Sequence, residues 1–387
     1  MSSSKPIRAG VAGLGVMGTS HATAIIDGKV AGMELTAVAD ASAERLGAFP
    51  GVPGFADANE MLASGAIDAV IIATPHFSHT TLGIAALEAG LHVLVEKPIS
   101  AHKEDCEKLL AAHARTKGLV FAAMFNQRTD PRYRKLKELL NDGSLGPVYR
   151  INWTITDWFR TESYYRSGAW RATWAGEGGG VLLNQCPHNL DLWQWLFGMP
   201  DAIYARCQLG RFHPIEVEDS VTAIFEYSSG VQGTFITSTG DAPGTNRLEV
   251  SADRGRVVIE GNAPEILFTR NEIPAAQFRQ ESLSRFGKPA VWNVQIPVPK
   301  SGGQHLEIMQ NFAEAILEGK DLIAPGVEGI HSVELANAML LSSFHETTVR
   351  LPIDSSVFTA ELQSRIAESA ARKNVPANGN QPPAPAR

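Results

Sequence analysis

Residues 7–18 of the chain read IRAGVAGLGVMG, an apolar run that passes directly into a glycine-rich turn. The apolar run predicts a buried strand, and the residues from Thr19 onward predict a helix. Between them, the pattern G-x-G-x-x-G permits a tight turn and lets a pyrophosphate approach the helix N-terminus. We therefore predict a dinucleotide-binding loop that consists of Gly13, Gly15, Val16, Met17 and Gly18.

An acidic residue follows the second predicted strand. Residues 35–39 form another apolar run, which ends at Asp40. A carboxylate about 20 residues past such glycines accepts hydrogen bonds from a ribose 2′-hydroxyl, and it repels a 2′-phosphate. NAD is therefore the favoured cofactor, although the nearby Arg45 leaves room for NADP as well.

Apolar runs and helical segments alternate through the first third of the chain. Strands are predicted at residues 69–73, 92–95 and 119–125, and helices at residues 80–89 and 101–116. The alternation predicts a parallel, doubly wound sheet, at whose strand ends ligands bind. The residues near these ends are predicted cofactor contacts, namely Ala73, Thr74, Pro75, His76, His79, Glu96, Lys97 and Arg128, together with Asn126 as a substrate contact.

A second glycine-rich stretch, residues 178–191, reads GGGVLLNQCPHNLD. The glycines let the backbone pass close to a flat group, and the apolar residues predict one helix through Trp195. On that helix Asn184, His188 and Asp191 would share one face. Asp191 would then orient the imidazole or pair with an arginine. A metal site is not predicted, because no third or fourth ligand is evident.

Oxidation of an alcohol requires a base for the hydroxyl proton and a cation or donor for the oxygen that remains. His188 is the predicted base, since an unperturbed imidazole has a pKa of about 6.5. Lys97, at the end of a predicted strand, is the predicted cation. Asn184 is predicted to orient a substrate hydroxyl, because an amide both donates and accepts hydrogen bonds.

Residues 157–174, the lid segment, mix aromatic and basic side chains in the sequence DWFRTESYYRSGAWRATW. Aromatic rings stack on sugars, and arginine binds carboxylate, sulfonate or phosphate groups. We predict a lid that recognises a sugar, in particular an anionic one. The alternatives are a loop packed on its own aromatics, and a site for single-stranded nucleic acid, which the acidic chain disfavours. The predicted substrate contacts are Arg160, Tyr165, Arg166, Trp170, Arg171 and Trp174, with Tyr133 and His213 as weaker candidates elsewhere.

The rest of the chain predicts a second, α+β domain with a large, mostly antiparallel sheet. Helices are predicted at residues 131–141, 305–318 and 327–345. We predict a dinucleotide-binding Rossmann domain over residues 1–126 and a substrate-binding and oligomerisation domain over residues 127–353. Residues 354–387 form an extension whose end, rich in Pro and Asn from residue 374, is predicted to be disordered.

Composition limits the functions that are open to the chain. It has 387 residues, a formal net charge of −7 and three cysteines without paired spacing. The negative charge disfavours nucleic acid and anionic membranes as partners, and the cysteines predict no disulfide framework. Neither a signal peptide nor a membrane span is predicted, so a cytoplasmic location is expected.

Two segments resemble signatures of the Gfo/Idh/MocA oxidoreductases. Residues 68–100 read DAVIIATPHFSHTTLGIAALEAGLHVLVEKPIS, and residues 176–198 read GEGGGVLLNQCPHNLDLWQWLFG. The resemblance implies NAD as cofactor, catalytic positions for Lys97 and His188, and a homodimer or homotetramer that forms through the outer face of the sheet. It also places Gln185 among the cofactor contacts and Arg171 near the cofactor. Many relatives carry Asp where this chain has Asn184.

Three functions follow from this sequence. The first is NAD-dependent oxidation of a ring hydroxyl on a sugar, sugar acid or cyclitol. The alternative is an NAD-dependent glycosidase, in which oxidation, elimination, hydration and reduction leave no net redox change. The Asn-Gln-x-x-His motif and the lid segment are similar to the branch of the family that acts on anhydro-sialic acid or sulfoquinovose glycosides. The third, a sensor that binds NAD without turnover, would require neither Lys97 nor His188.

Overall fold

The computed structural model describes residues 5–261, 263–299 and 301–373. Two sheets organise this part of the chain, one of six strands and one of nine. The six-stranded sheet comes from the first third of the chain, and the nine-stranded sheet comes from the remainder.

The first sheet has the strand order β3-β2-β1-β4-β5-β6, and all of its neighbouring strands are parallel. Its strands are β1 (Ile7–Ala12), β2 (Met33–Ala39), β3 (Gly54–Phe55), β4 (Ala69–Ile72), β5 (His92–Val95) and β6 (Phe121–Ala123). The connecting helices are α1 (Val16–Ile26), α2 (Ala43–Gly47), α3 (Ala58–Ala63), α4 (His76–Glu88) and α5 (Lys103–Arg115). The order reverses between β1 and β4, so the carboxyl ends of these strands form the ligand crevice of a doubly wound fold.

Apolar strands hold the first sheet in the interior. β4 reads Ala-Val-Ile-Ile and is buried at every position, as is typical of a parallel strand that helices cover on both faces. The same core includes Ile308, Met309 and Phe312 from a helix near the other end of the sequence, α12 (Gln304–Glu318). A helix that the sequence assigned to the second domain therefore completes the core of the first.

The second sheet has the order β14-β13-β12-β11-β7-β10-β9-β8-β15. Only β7 and β10 pair in parallel among the described strands of this sheet, which confirms the prediction of a mostly antiparallel one. The strands are β7 (Val148–Ile155), β8 (Ala202–Leu209), β9 (Glu218–Glu226), β10 (Gln232–Ser238), β11 (Asn246–Ala252), β12 (Gly255–Glu260), β13 (Glu265–Asn271), β14 (Val291–Pro297) and β15 (Val349–Arg350).

Helices pack on one face of this sheet through large aromatic side chains. Trp193 lies against Phe225 and Phe235, with ring centroids 4.7 and 6.0 Å away, and stacks on Trp153 at 6.5 Å. The helices of this half, besides α12, are α6 (Pro131–Asn141), α7 (Glu162–Arg166), α8 (Trp174–Glu177), α9 (Val181–Asn184), α10 (Pro187–Phe197), α11 (Ala275–Glu281), α13 (Gly329–His345) and α14 (Ser355–Lys373).

Several elements of the second half have no counterpart among the sequence predictions. β14 is exposed along nearly its whole length, although Trp292, Val294 and Ile296 alternate with Asn293 and Gln295 as in a strand. α14 occupies most of the predicted C-terminal extension, and the end predicted to be disordered, residues 374–387, lies outside the described residues. No helix in the described part of the chain combines the length and apolar character needed to cross a bilayer.

Candidate active site

The glycine-rich loop lies between β1 and α1 with the close packing that its sequence predicts. Gly13 has a φ of +88°, and a Cβ at Gly18 would lie 1.7 Å from the Gly13 carbonyl oxygen, so neither position accepts a side chain without displacement. At Gly15, by contrast, an added Cβ would meet no described atom within 4 Å. The loop is therefore closed on its inner side and open in front of the α1 N-terminus, which fits a pyrophosphate.

Asp40 is tied to this loop by hydrogen bonds. Its carboxylate accepts from the Leu14 N–H at 2.7 Å and from the Ser42 N–H at 2.8 Å, and the Arg45 guanidinium lies 3.4 Å away. The carboxylate thus fixes the shape of the loop. Its contact with a ribose and the role of Arg45 stay predictions.

Lys97 follows β5 and is buried among charged groups. Its Nζ donates to the main-chain oxygen of Asn184 at 3.0 Å. Burial lowers the pKa of Lys97, and the carboxylates of Glu96 and Glu177 oppose that change. The adjacent Glu96 is bonded to His21 Nε2 at 2.8 Å; burial disfavours its charge, yet His21 and Lys97 together lower its pKa to about 2. The lysine therefore lies next to a permanent carboxylate.

His188 occupies the first turn of α10 and is buried, with 9% of the residue exposed. Its ring meets the edge of Phe125, with centroids 6.2 Å apart, and its Nδ1 has no hydrogen-bond partner among the described residues. Burial, and then the charge of Lys97, lower its pKa to about 3. The imidazole is therefore neutral at physiological pH, as a proton acceptor must be.

The segment that carries His188 is two helices rather than the single predicted helix. α9 ends at Asn184, and α10 begins at Pro187, the first helical position, after Cys186 as N-cap. Proline has no N–H to continue a helix and its ring excludes the preceding turn, so the helix breaks there. Asn184 and His188 consequently do not share a helical face, and Lys97 instead contacts the break through the Asn184 carbonyl.

Two histidines of α4 lie at the end of β4. His79 bonds with both nitrogens to main-chain oxygens, Nδ1 to Pro98 and Nε2 to Thr74, each at 2.7 Å. His76 Nδ1 is 3.2 Å from the Glu177 carbonyl oxygen, and burial lowers the pKa of His76 to about 3. His79 thus fixes the segment around Thr74, whose neighbours Ala73 and Pro75 were also predicted to contact the cofactor. Those contacts remain predictions.

The lid segment reaches Asn184 and Gln185 through Tyr164. The Tyr164 hydroxyl accepts a hydrogen bond from Arg171 Nη1 at 3.0 Å and donates to Asn184 Oδ1 at 3.4 Å. Gln185 Nε2 donates to the same Asn184 oxygen at 3.2 Å. The guanidinium of Arg171 lies over the Tyr164 ring at 4.6 Å, and that of Arg160 approaches the same ring at 5.1 Å. Arginine, tyrosine and amide groups are therefore joined in one network.

The other predicted lid contacts divide into surface and interior residues. Trp170 is 37% exposed and meets His76 edge-on, with centroids 6.4 Å apart. Arg166 is exposed and pairs with Glu162 at 2.7 Å. Tyr165 donates to Thr239 at 2.8 Å and packs on His213. These side chains line the approach to the network, and their substrate contacts remain predictions.

Two predicted substrate residues belong to the protein core instead. Trp174 is buried against Phe344 and Arg365, on the side of α14. Tyr133 is buried against Trp153, with centroids 5.7 Å apart. Both are corrections to the sequence analysis, since an aromatic residue that completes a core has no face left for a sugar.

Arg128 and Asp191 form a buried ion pair away from the glycine-rich loop. Arg128 binds Asp191 with two hydrogen bonds of 2.6 and 2.8 Å and donates to Glu328 at 2.6 Å. Both members of the pair are 1% exposed at the side chain. The prediction that Arg128 contacts the cofactor is corrected. Of the two alternatives for Asp191, orientation of the imidazole or a pair with an arginine, the structure shows the second.

We expect Arg128→Ala to destabilise the protein by about 3–5 kcal/mol, because removal of one partner leaves an uncompensated buried charge. Urea unfolding followed by circular dichroism measures this change. The matched control is Arg166→Ala, whose ion pair with Glu162 is exposed and should leave the free energy of unfolding nearly unchanged. Equal effects of the two variants would show that the buried Arg128 pair contributes no more to stability than an exposed one.

The remaining predicted site residue, Asn126, has a partly satisfied amide. Its Nδ2 donates to Gln304 Oε1 at 2.7 Å, while its Oδ1 is buried without a partner in the described residues.

Sequence reasoning missed Glu177, Tyr164 and His21 as members of the site. A signal existed for Glu177, the acidic residue directly before three glycines. The described residues hold no group of three or more His, Cys, Asp or Glu side chains placed for a metal ion.

Comparison with known proteins identifies both halves of the chain. Residues 7–124 match the family model of the oxidoreductase family with an NAD-binding Rossmann fold. Residues 133–258 match the model of the GFO/IDH/MocA C-terminal domain. The two matched regions coincide with the parallel sheet and with most of the mixed sheet, so sequence and fold agree.

Similar proteins include dehydrogenases. The oxidoreductase YdgJ of Escherichia coli, itself uncharacterised, is 28% identical over 89% of this chain and 99% of its own length. Inositol 2-dehydrogenase 1 of Saccharopolyspora erythraea is 36% identical over 36% of this chain and 43% of its own length. Among solved structures, the WlbA dehydrogenase from Chromobacterium violaceum, in complex with NADH and UDP-GlcNAcA, is 28% identical with a TM-score of 0.79 over 91% of this chain and 98% of its own. The chain belongs to the Gfo/Idh/MocA family of NAD-dependent oxidoreductases.

Proposed function

We propose that this protein oxidises a ring hydroxyl of a sugar or cyclic polyol with NAD. The observation that carries the proposal is a neutral, buried imidazole with an unpartnered Nδ1, His188, in the same charged cleft as Lys97. The relatives that act on inositol or bind UDP-GlcNAcA support this substrate class.

Each residue has a distinct task in this proposal. NAD, when bound, supplies the acceptor for the hydride from the carbinol carbon. His188 takes the hydroxyl proton, and its low pKa keeps it unprotonated before the reaction. Lys97 donates a hydrogen bond to the same oxygen and stabilises the negative charge that develops there. Asn184, held by Tyr164 and Gln185, orients a neighbouring hydroxyl.

We propose further that the substrate is anionic. Arg160 and Arg171 both lie over the Tyr164 ring, at the approach to Lys97 and Asn184. Their guanidinium groups suit a carboxylate, sulfonate or phosphate.

A homodimer or homotetramer is also proposed, through the outer face of the second sheet, where Tyr149, Leu267 and Trp292 are exposed.

A second candidate, the redox-recycling glycosidase, is favoured by the Tyr164 hydroxyl. Elimination next to a transient ketone requires a second base, and this hydroxyl lies between Arg171 and Asn184. The same residues would then serve both redox steps, and NAD would return to its oxidised form.

Incubation in deuterated water with NAD separates the two candidates. The panel consists of cyclitols, aldoses, sugar acids and their glycosides, and NADH absorbance and release of the aglycone are followed together. We expect stoichiometric NADH without bond cleavage. Aglycone release with deuterium incorporation and no accumulated NADH would select the glycosidase, and the absence of both across the panel would contradict the proposed function.

A further inference from the structure

We propose that Glu177 is a positioning residue of the active site, which orients the Asn184 amide and supplies the negative charge that balances Lys97. The inference rests on the proposed function, in which Lys97 and Asn184 meet the substrate. It concerns how a chain with an uncharged amide at position 184 places a carboxylate near its catalytic lysine.

The Glu177 carboxylate is buried, and each of its two oxygens accepts a hydrogen bond. It ends α8, is 2% exposed, and accepts from the Ala172 N–H at 2.5 Å through Oε2. Its Oε1 accepts a short hydrogen bond from Asn184 Nδ2. Each carboxylate oxygen therefore faces a donor, and neither is available to solvent.

This contact decides which way the Asn184 amide points. A carboxylate only accepts, so the NH₂ group of Asn184 must face Glu177. The Oδ1 atom is then left to accept from the Tyr164 hydroxyl and from Gln185 Nε2. The orientation of the amide toward the lid segment thus depends on the Glu177 carboxylate.

Charged or titratable groups from four segments of the chain face Glu177. Lys97 and Arg171 favour its charged form, whereas burial raises its pKa. On α4, His76 Nδ1 contacts the Glu177 main-chain oxygen. On β9, burial raises the pKa of Glu218 to about 7, and the charge of Glu177 contributes to that rise. Glu177 in turn raises the pKa of Lys97 against the effect of burial.

Exchange of the carboxylate and the amide between positions 177 and 184 tests the inference. Glu177→Gln removes the charge and leaves amide facing amide, so one of Ala172 N–H and Asn184 Nδ2 loses its acceptor. Asn184→Asp brings two carboxylates into hydrogen-bond contact, which requires a shared proton. In the double variant, the amide introduced at position 177 donates to the carboxylate introduced at position 184 and still accepts from the Ala172 N–H. Both of these hydrogen bonds are then restored, and the negative charge moves from one side chain to the other.

We expect each single variant to lose kcat by about tenfold or more, as for loss of a buried hydrogen bond to a charged group. The double variant should recover to near the wild-type rate. Glu138→Gln, an exposed change on α6, is the control. A double variant no better than the poorer single variant would overturn the inference, since independent structural defects add.

The pKa of Lys97 gives a readout that does not depend on substrate. Protein labelled with ¹³C-lysine is titrated by NMR at Cε, and Lys97→Arg assigns the signal. Glu177→Gln should lower the pKa of Lys97, and the double variant should restore it. An unchanged pKa in Glu177→Gln would overturn the charge role even if the protein turned over none of the substrate panel, so failure here is distinct from failure of the proposed function.

Discussion

Lys97→Met should reduce kcat by about 10²- to 10³-fold, the loss expected when one preorganised donor to a developing oxyanion is removed. Methionine keeps the volume of the side chain but loses the hydrogen bond to the Asn184 carbonyl oxygen and the charge between Glu96 and Glu177. Initial rates of NADH formation with the best substrate of the panel measure the effect.

Two controls make the Lys97 result specific. Lys108→Met removes a lysine whose side chain is 54% exposed on α5, and it should leave the rate unchanged. Titration with NADH separates a loss of cofactor affinity from a loss in the chemical step, because Lys97 is also a predicted cofactor contact. A rate within about threefold of wild type, or a loss fully explained by cofactor affinity, would remove Lys97 from the chemistry.

His188→Gln should reduce kcat by about 10²- to 10⁴-fold, the usual contribution of general base catalysis. The base form is required, so activity falls as pH drops through the pKa of the imidazole. Because burial and Lys97 hold that pKa at about 3, kcat/KM of the wild-type protein should stay flat from pH 8 down to pH 5. Steady-state rates across this range provide the measurement.

The matched control is His345→Gln, a histidine that is 47% exposed at the end of α13. It should change neither the rate nor the pH profile. An acid limb near the ordinary pKa of about 6.5 would show that His188 is not held neutral by its surroundings. A rate in His188→Gln equal to wild type would exclude it as the base.

The cofactor half of the fold could be predicted from sequence because local patterns determine it. Gly13 and Gly18 occupy positions where a side chain would collide with backbone, and β4 is apolar throughout. Each of these signals lies within a few residues of the element that it predicts. The positions of Lys97 and His188 could also be predicted, because both residues lie within recognisable signature segments. The two side chains lie in one charged cleft.

Two of the errors share a physical cause, which is that a side chain's partners lie far along the chain. Nothing near Arg128 in sequence shows that it pairs with Asp191, and nothing near Trp174 shows that α14 covers it. The predicted continuous helix ignored the missing N–H of Pro187. Glu177 was overlooked because its partners, Asn184 and Lys97, become neighbours only when the glycine stretch folds back on β5.

The central claim is that a sugar ring carbon bound between Lys97 and His188 transfers its hydride to NAD. A single turnover with excess protein, NAD and a substrate deuterated at the carbinol carbon tests it most directly. We predict that mass spectrometry finds the deuterium on the reduced nicotinamide, at a rate that His188→Gln lowers by about 10²-fold or more. Product formed with the deuterium still on the sugar, or lost to water, would contradict the account.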